Sequence, residues 1–572
     1  FSVTKNTDGG EQTSGKENTK TSLDVVQKAR YDSGMTNADG GVMEIVDYNT
    51  TTGWAYAVNG VTGNLTAIAI KDMKSSEKID LLDGNDIDVK SMVEENCAGF
   101  VYGDMTSVAV SEDGSKLAVA IQAENYADTG RVALFTCNAD GTLTFDKVYE
   151  TGVQPDMVTF ASNDSKILTA DEGEPRDGYG DGIIDPKGTV TIINLADQTV
   201  SQVDFTSYDN SDSREQLVES GVILKKNTNP SVDFEPEYIA VGDKTAYVTL
   251  QEANAIAVID LNQQSLTGVY SAGYEDYSTC AVDIDKKDEA YKPAVYETLR
   301  GIRMPDGIAT YHINGVDYIV TANEGDSREW GEYLNEDERN FGKGETSPTG
   351  KITAENSGLT GKVVFFDSSD YDGLDSEFDY LFGGRSFTVF KADEQGLTEI
   401  YTSGNEFEAK TAGYELEHFN CSNDNNDIDD RSGKKGVEAE NVTIGNVGEK
   451  IYAFIGLERI GGVMMYDVTN PEKISYANYI NSRDFSADIA GDDSPEGLCF
   501  ISESESVDGN AHLLTACEVS GTVASYELTA RKTEDQGNEQ DSDNGQDSGE
   551  GQNSNNGQEL SLIHISEPTR LR

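Results

Sequence analysis

The chain has 572 residues and carries 43 Lys+Arg against 104 Asp+Glu, a net charge of −61. Such a surface repels DNA, RNA and anionic bilayers at long range, so nucleic acid is excluded as a partner and cations or neutral ligands are expected. No run of about 18 apolar residues occurs, so no transmembrane segment is expected.

Six cysteines (Cys97, Cys137, Cys280, Cys421, Cys499, Cys517) lie far apart and form no C-x-x-C pair, which points to buried free thiols rather than a thiolate metal site or disulfides. The four histidines, His312, His418, His512 and His564, are scattered, which disfavours an imidazole-rich zinc enzyme and a Ser-His-Asp triad.

Residues 1–22 are polar and read as a disordered leader; the chain starts at Phe1, which suggests a mature or fragmentary N-terminus. Order is expected from Leu23-Asp24-Val25-Val26, running into Tyr31-Asp32-Ser33-Gly34. That ending recurs as Tyr149-Glu150-Thr151-Gly152 and Tyr401-Thr402-Ser403-Gly404, so one outer strand repeats.

Next come Met43-Glu44-Ile45-Val46, Trp54-Ala55-Tyr56-Ala57-Val58-Asn59 and Leu65-Thr66-Ala67-Ile68, three short strands separated by turns. The same meander returns from Ser107, Pro155-Asp156, Pro236-Glu237, Pro305-Asp306, Glu440 and Pro495-Glu496, giving seven units. The second strands end at Asn59, Glu124, Glu172, Glu252, Glu324, Glu458 and Glu518. The strongest copies are Thr169-Ala170-Asp171-Glu172-Gly173-Glu174-Pro175-Arg176 and Thr321-Ala322-Asn323-Glu324-Gly325-Asp326-Ser327-Arg328.

Seven four-stranded meanders predict an all-β, seven-bladed β-propeller over residues 23–528, with an eight-bladed ring as the alternative. The alternative arises from the long excursion between Asp306 and Glu440. Within it, 329–351 and 368–384 read as polar loops hung on strands near Val363–Phe366 and Phe387–Phe390. The last unit lacks a fourth strand, and the segment near Leu23 precedes the first unit, so the N-terminal strand is expected to complete the last blade and leave no free sheet edge. Residues 529–559 form an acidic Gly/Asn/Gln/Ser spacer that cannot bury a core. The segment 560–572 resembles a translated sequencing adapter, so the natural C-terminus, with any anchor, is expected to be missing.

Antiparallel pairing sets the start of one strand beside the end of the next. Glu44, Ser107, Asp156, Glu237, Asp306, Glu440 and Glu496 should therefore crowd one channel mouth with Asn59, Glu124, Glu172, Glu252, Glu324, Glu458 and Glu518. Like charges this close need cations between them. Arg176, Arg328 and Arg459 are candidates, as is bound Ca²⁺, whose hard-oxygen preference suits carboxylates. The competing reading is that the acids only cap strand ends. A second candidate calcium loop is Asp177-Gly178-Tyr179-Gly180-Asp181-Gly182-Ile183-Ile184-Asp185, which lacks the glutamate of an EF-hand; 423–431 is a less regular version.

The motifs TADEGEPRDGYGDG, TANEGDSREWGEY, FGGRSF, DDRSGKKGVEAENVTIG, YAFIGLERIGGVMMYDVTNP, SPEGLCF and TACEVSGTVASYEL resemble the choice-of-anchor I family over about Leu23 to Leu528. These are β-propeller proteins of bacterial surfaces related to the mesenchyme-specific cell surface glycoprotein. The resemblance implies an extracellular protein anchored to the cell wall or surface through a variable C-terminal device; the function expected first is a non-catalytic surface module that binds a cell-surface glycan or protein, with calcium holding its loops. Some relatives carry alkaline-phosphatase or phytase-like labels, so a calcium-dependent phosphoesterase acting on a phosphorylated small molecule is the alternative. Glu172, Glu174, Glu324 and Asp326 would then hold metal while Arg176 and Arg328 stabilise developing charge. Asn59 and Ser107 replace acids in the first two units, which makes those the weaker part of any metal site.

Overall fold

A computed structural model describes residues 22–531 except Ser75. The protein is all-β, and its strands alternate apolar and polar or are apolar throughout, as sheets packed on one or both faces require. Seven antiparallel sheets of the meander type carry the architecture. Their first strands are Val46–Tyr48 (sheet I), Tyr102–Val110 (II), Pro155–Ala161 (III), Pro236–Val241 (IV), Ile308–Ile313 (V), Ala439–Val447 (VI) and Pro495–Ile501 (VII).

Each first strand packs against the first strand of the next sheet, and that of sheet VII packs against that of sheet I. The apolar clusters follow the same path. Seven of them lie between successive sheets, from Trp54 with Val119 between I and II round to Ala29, Leu514 and Val46 between VII and I. The approach of the first strands is close: a Cβ on Gly497 would sit 2.5 Å from the Glu44 carbonyl oxygen, so only glycine fits there.

Sheet VII draws its fourth strand from the other end of the chain. Leu23–Asp32 runs antiparallel to Thr522–Ala530, from Leu23 opposite Ala530 to Asp32 opposite Thr522. Leu23, Val25, Gln27 and Ala29 are buried on one face, while the residues between them are only partly so. A polar clamp fixes the strand. Arg30 holds Asp492 with both nitrogens (Nε–Oδ1 2.8 Å, Nη2–Oδ2 2.6 Å), and Gln27 Nε2 donates to the same carboxylate at 2.8 Å. The Tyr31, Tyr149 and Tyr401 endings all occupy the fourth strand of their sheets, as their shared sequence predicts; in sheet VII the short strand Asp80–Leu81 pairs parallel outside it.

The excursion departs from expectation. Glu336–Asn340 and Asp379–Phe382, read from sequence as loop, are strands of an added mixed sheet that also contains Tyr274–Asp276, Leu299–Ile302 and Lys362–Phe366. The sheet is packed on both faces, by Tyr277, Phe341, Val363 and Phe365 on one side and by Ile223, Val364, Phe366 and Tyr380 on the other; Glu336–Asn340 escaped because it is a polar edge strand, only partly buried, and Asp379–Phe382 because it is short and set in an Asp/Gly-rich stretch. The other strand expected there, around Phe387, is the third strand of sheet V, Ser386–Asp393. All six cysteines are free; Cys421, Cys499 and Cys517 are buried. The N-terminal leader 1–21, and the spacer and adapter-like segments beyond Arg531, lie outside the described residues.

Candidate functional site

A narrow cavity of about 70 Å³ runs between the first strands, with a contribution from every sheet: Val46, Val108, Val158, Tyr238, Ile308, Val442 and Leu498. It is too small for an organic ligand, which leaves its two ends as the open surfaces. The acids gather at one of them.

The device that puts them there is a β-bulge repeated from sheet to sheet. The register skips one residue between Pro155 and Met157, Ala439 and Asn441, and Pro495 and Gly497, which leaves Asp156, Glu440 and Glu496 as the extra residues; sheet IV skips likewise around Glu237. Glu44 and Asp306 sit in the same relation: Glu44 N donates to Val58 O while Val58 N donates to Ile45 O, and Asp306 N and Gly307 O both engage Ala322. A bulge re-aims a side chain without breaking the sheet. Here it delivers six carboxylates beside the ends of the second strands.

Carboxylate oxygens of Asp156, Glu172 and Glu237 lie within 4.8 Å of one another, as do those of Asp306, Glu324 and Glu440. Burial, then repulsion between neighbours, pushes the carboxyls of Glu172, Glu237, Glu440 and Glu496 well above the usual range. Burial likewise carries Glu44 to about 9 and, with Glu458 nearby, Glu518 to about 8. Glu518 also accepts from Gly41 N at 3.2 Å and Ser494 Oγ at 3.3 Å. The two departures from acid serve structure: Ser107 Oγ accepts from Val158 N at 3.2 Å, bridging sheets II and III, and Asn59 Oδ1 accepts from Val61 N and Thr62 N in a turn.

The three arginines take different roles. Arg176 Nε pairs with Glu174 at 3.0 Å and Nη2 reaches Gln122. Arg328 turns away from Glu324 and Asp326; it is buried against Asp233 (Nη1–Oδ1 2.7 Å) with Glu235 at 3.9 Å. Arg459 binds Glu438 through Nε and lies 3.8 Å from Glu458. In the loop after Arg176, Asp177 and Asp181 are exposed and apart from the mouth acids in burial. Asp185 is half-buried, and desolvation, with Asp233 nearby, raises it to about 7. The 423–431 loop is fastened by Arg483, which donates to Asn425 O at 2.9 Å and Ser422 O at 2.8 Å.

Two groups escaped the sequence reading. Lys435, in a left-handed conformation (φ 62°), brings Nζ to 2.6 Å from Glu438, 3.6 Å from Glu324 and 3.8 Å from Asp326, and donates to Gly325 O at 2.9 Å. Glu438, fully buried, receives Lys435, Arg431 (3.0 Å) and Arg459. Burial opposes its charge, but three cations outweigh that and hold its carboxyl well below the ordinary range. The only signal was the run Arg431-Ser432-Gly433-Lys434-Lys435 ahead of the sixth unit.

Asp492 gives a pH prediction. Burial opposes its charge, yet Arg30, Ser482 and Thr522 hold its carboxyl below the 3.8 of a free aspartate. A depressed carboxyl adds stability above the unfolded value and loses it as pH falls. Denaturant melts should weaken as pH drops below 3.8, and Asp492→Asn should flatten that dependence while lowering stability at neutral pH.

The Choice-of-anchor I domain family matches residues 44–471. The mesenchyme-specific cell surface glycoprotein of Strongylocentrotus purpuratus is 27% identical over 315 residues, 47% of this chain and 40% of that protein. Gigasin-3a of Magallana gigas is 33% identical over 92 residues, 15% of this chain and 32% of its own length. The chain thus spans less than half of these curated relatives. Among solved structures, the Myceliophteria thermophila Cps50 (Swd1) β-propeller domain aligns at 9% identity and TM-score 0.40, covering 86% of this chain and 97% of that one. The RRP9 WD40 repeats align at 8% identity and TM-score 0.43, covering 91% and 99%. With the family match extending from the first mouth acid, Glu44, into sheet VI, the chain belongs to the choice-of-anchor I family.

Proposed function

We propose that this chain is an extracellular, surface-attached β-propeller binding module of seven blades, sealed by its N-terminal strand, whose acidic channel mouth takes calcium and engages a glycan or protein ligand. One observation carries the reading: the three-carboxylate cluster of Asp156, Glu172 and Glu237, oxygens within 4.8 Å, formed by bulges that recur around the mouth. Strand-end capping alone does not account for them, because among the described residues the hydrogen bond that the Glu172 and Glu237 carboxyls make is to each other and not to a strand-end N–H, and each is under a tenth exposed. The cycle of first-strand contacts supports the blade count. Among the described residues no helix is long and apolar enough to cross a membrane.

Calcium should raise the melting temperature of the chelator-treated protein; at a hundred times Kd the gain is about 2.7 kcal/mol. Calorimetry in EDTA and in excess Ca²⁺ reads this, and identical melts would sink the calcium reading. Binding to a glycan array in Ca²⁺ but not EDTA is the expected functional result. Chelator-sensitive release of phosphate from phosphomonoester, diester or phytate would replace the binding role with a phosphoesterase.

A further inference from the structure

The mouth acids fall into two sets built by the same rule. In sheets III and IV, Asp156, Glu172 and Glu237 cluster with Glu252 near enough to repel two of them; in sheets V and VI, Asp306, Glu324 and Glu440 cluster with Glu458 near enough to repel two of them. Each set takes a first-strand acid and a strand-end acid from both of two neighbouring sheets. Chemistry separates them.

The second set is answered from within the protein. Lys435 Nζ stands 3.6 Å from Glu324, Gln251 Nε2 donates to Glu324 Oε2 at 3.0 Å, and Arg459 Nη2 lies 3.8 Å from Glu458. The first set has no cation in contact: Glu172 and Glu237 hydrogen-bond to each other, and Arg176 and Arg328 act on Asp156 and Glu252 only from beyond ion-pair distance. Its neighbouring arginines are engaged elsewhere, Arg176 with Glu174 and Arg328 with Asp233 and Glu235, and no Lys or Arg among the described residues forms an ion pair with Asp156, Glu172, Glu237 or Glu252. Glu252 adds an independent sign. It is 7% exposed, its Oε2 has no hydrogen-bond partner, and it lies close enough to Glu172 and Glu237 to repel both. A buried carboxylate oxygen without a partner costs several kcal/mol unless a cation meets it.

We propose that Asp156, Glu172, Glu237 and Glu252 bind one divalent cation of the calcium type, and that Lys435 supplies in the neighbouring set the charge a second ion would bring. This rests on the cation-binding reading of the mouth and narrows it to one side. Four carboxylates offer only oxygen, which selects a hard ion over a thiolate- or imidazole-seeking one. The set has capacity for several oxygen contacts, and Ca²⁺ accepts irregular arrangements that Mg²⁺ refuses.

Isothermal titration of the full chain with Ca²⁺, and separately with Mg²⁺, tests the assignment. The difference between wild type and Glu172→Gln/Glu237→Gln should be one ion, with affinity at that site down on the order of 100-fold or more. Glu324→Gln should leave it intact. Lys435→Met should add a second ion; if that variant fails to fold, Glu324→Gln and the double variant still decide the location. A loss of binding in Glu324→Gln equal to that in the double variant would overturn the one-sided assignment while leaving a calcium mouth. Binding in wild type that the double variant retains would overturn the site, and no binding in wild type would overturn the broader reading too. Tighter Mg²⁺ than Ca²⁺ would overturn the ion class.

Discussion

Removing residues 1–33 will leave a protein that does not melt cooperatively as the full chain does. The segment carries the whole fourth strand of sheet VII, so its loss strips the backbone partners of Thr522–Ala530 and uncovers Ala511, Leu513 and Tyr526 beside Leu23 and Val25. Each buried Leu or Val contributes ~1.5–3 kcal/mol. Asp492, fully buried, would lose Arg30 and Gln27 together. Breaking a buried pair on one side costs about 3–5 kcal/mol. Together these reach the ~5–15 kcal/mol that holds an ordinary domain folded. Calorimetry of the truncated and full chains reads the outcome, and Arg30→Met isolates the clamp. A truncated chain with an unchanged melting temperature would contradict this account of the N-terminal strand.

Glu438→Gln will be the most damaging single substitution at the acidic mouth, although it removes an acid from a protein of net charge −61. Glu438 is where Lys435, Arg431 and Arg459 converge, with no exposure to water. Neutralising it leaves three cations short of a partner in a desolvated setting, an expected loss of about 3–5 kcal/mol. Glu440→Gln, two residues on, should do the opposite without added cation. Its carboxylate faces Glu324, Glu496 and Glu458, and removing one of several repelling charges should hold or raise stability. Paired denaturant melts in EDTA compare the two. Equal losses would mean that the mouth acids act as one undifferentiated ring.

The difference between Glu438 and Glu440 shows where sequence reasoning stopped. Glu440 was legible because its unit repeats: a first strand opens on an acid and a second strand closes on one, at similar spacing in unit after unit. Glu438 belongs to no repeat. Its three cations arrive from the end of an excursion whose path nothing local specifies, since Lys435 reaches Gly325 across 110 positions of chain. Arg328 failed for the same reason. Placed beside Glu324 by sequence, it is drawn instead to Asp233, 95 positions back, a carboxylate buried at the end of the short helix Pro230–Asp233.

What the amino-acid order determined by itself was the repeat: alternating apolar strands, turn residues between them, acids at matching strand ends, and an orphan strand to complete a unit that lacks one. These are local patterns, fixed by the two-residue period of a strand and by antiparallel pairing. Only the tertiary structure decided which acids face one another and which cation answers them. The bulge at Asp156, Glu440 or Glu496 adds a residue without changing composition, so its direction appears only once the strands are paired. Charge balance inside a fold is a property of distances across the chain, and at this mouth those distances leave one set of acids in contact with Lys435 and the other with Arg176 and Arg328 only at longer range.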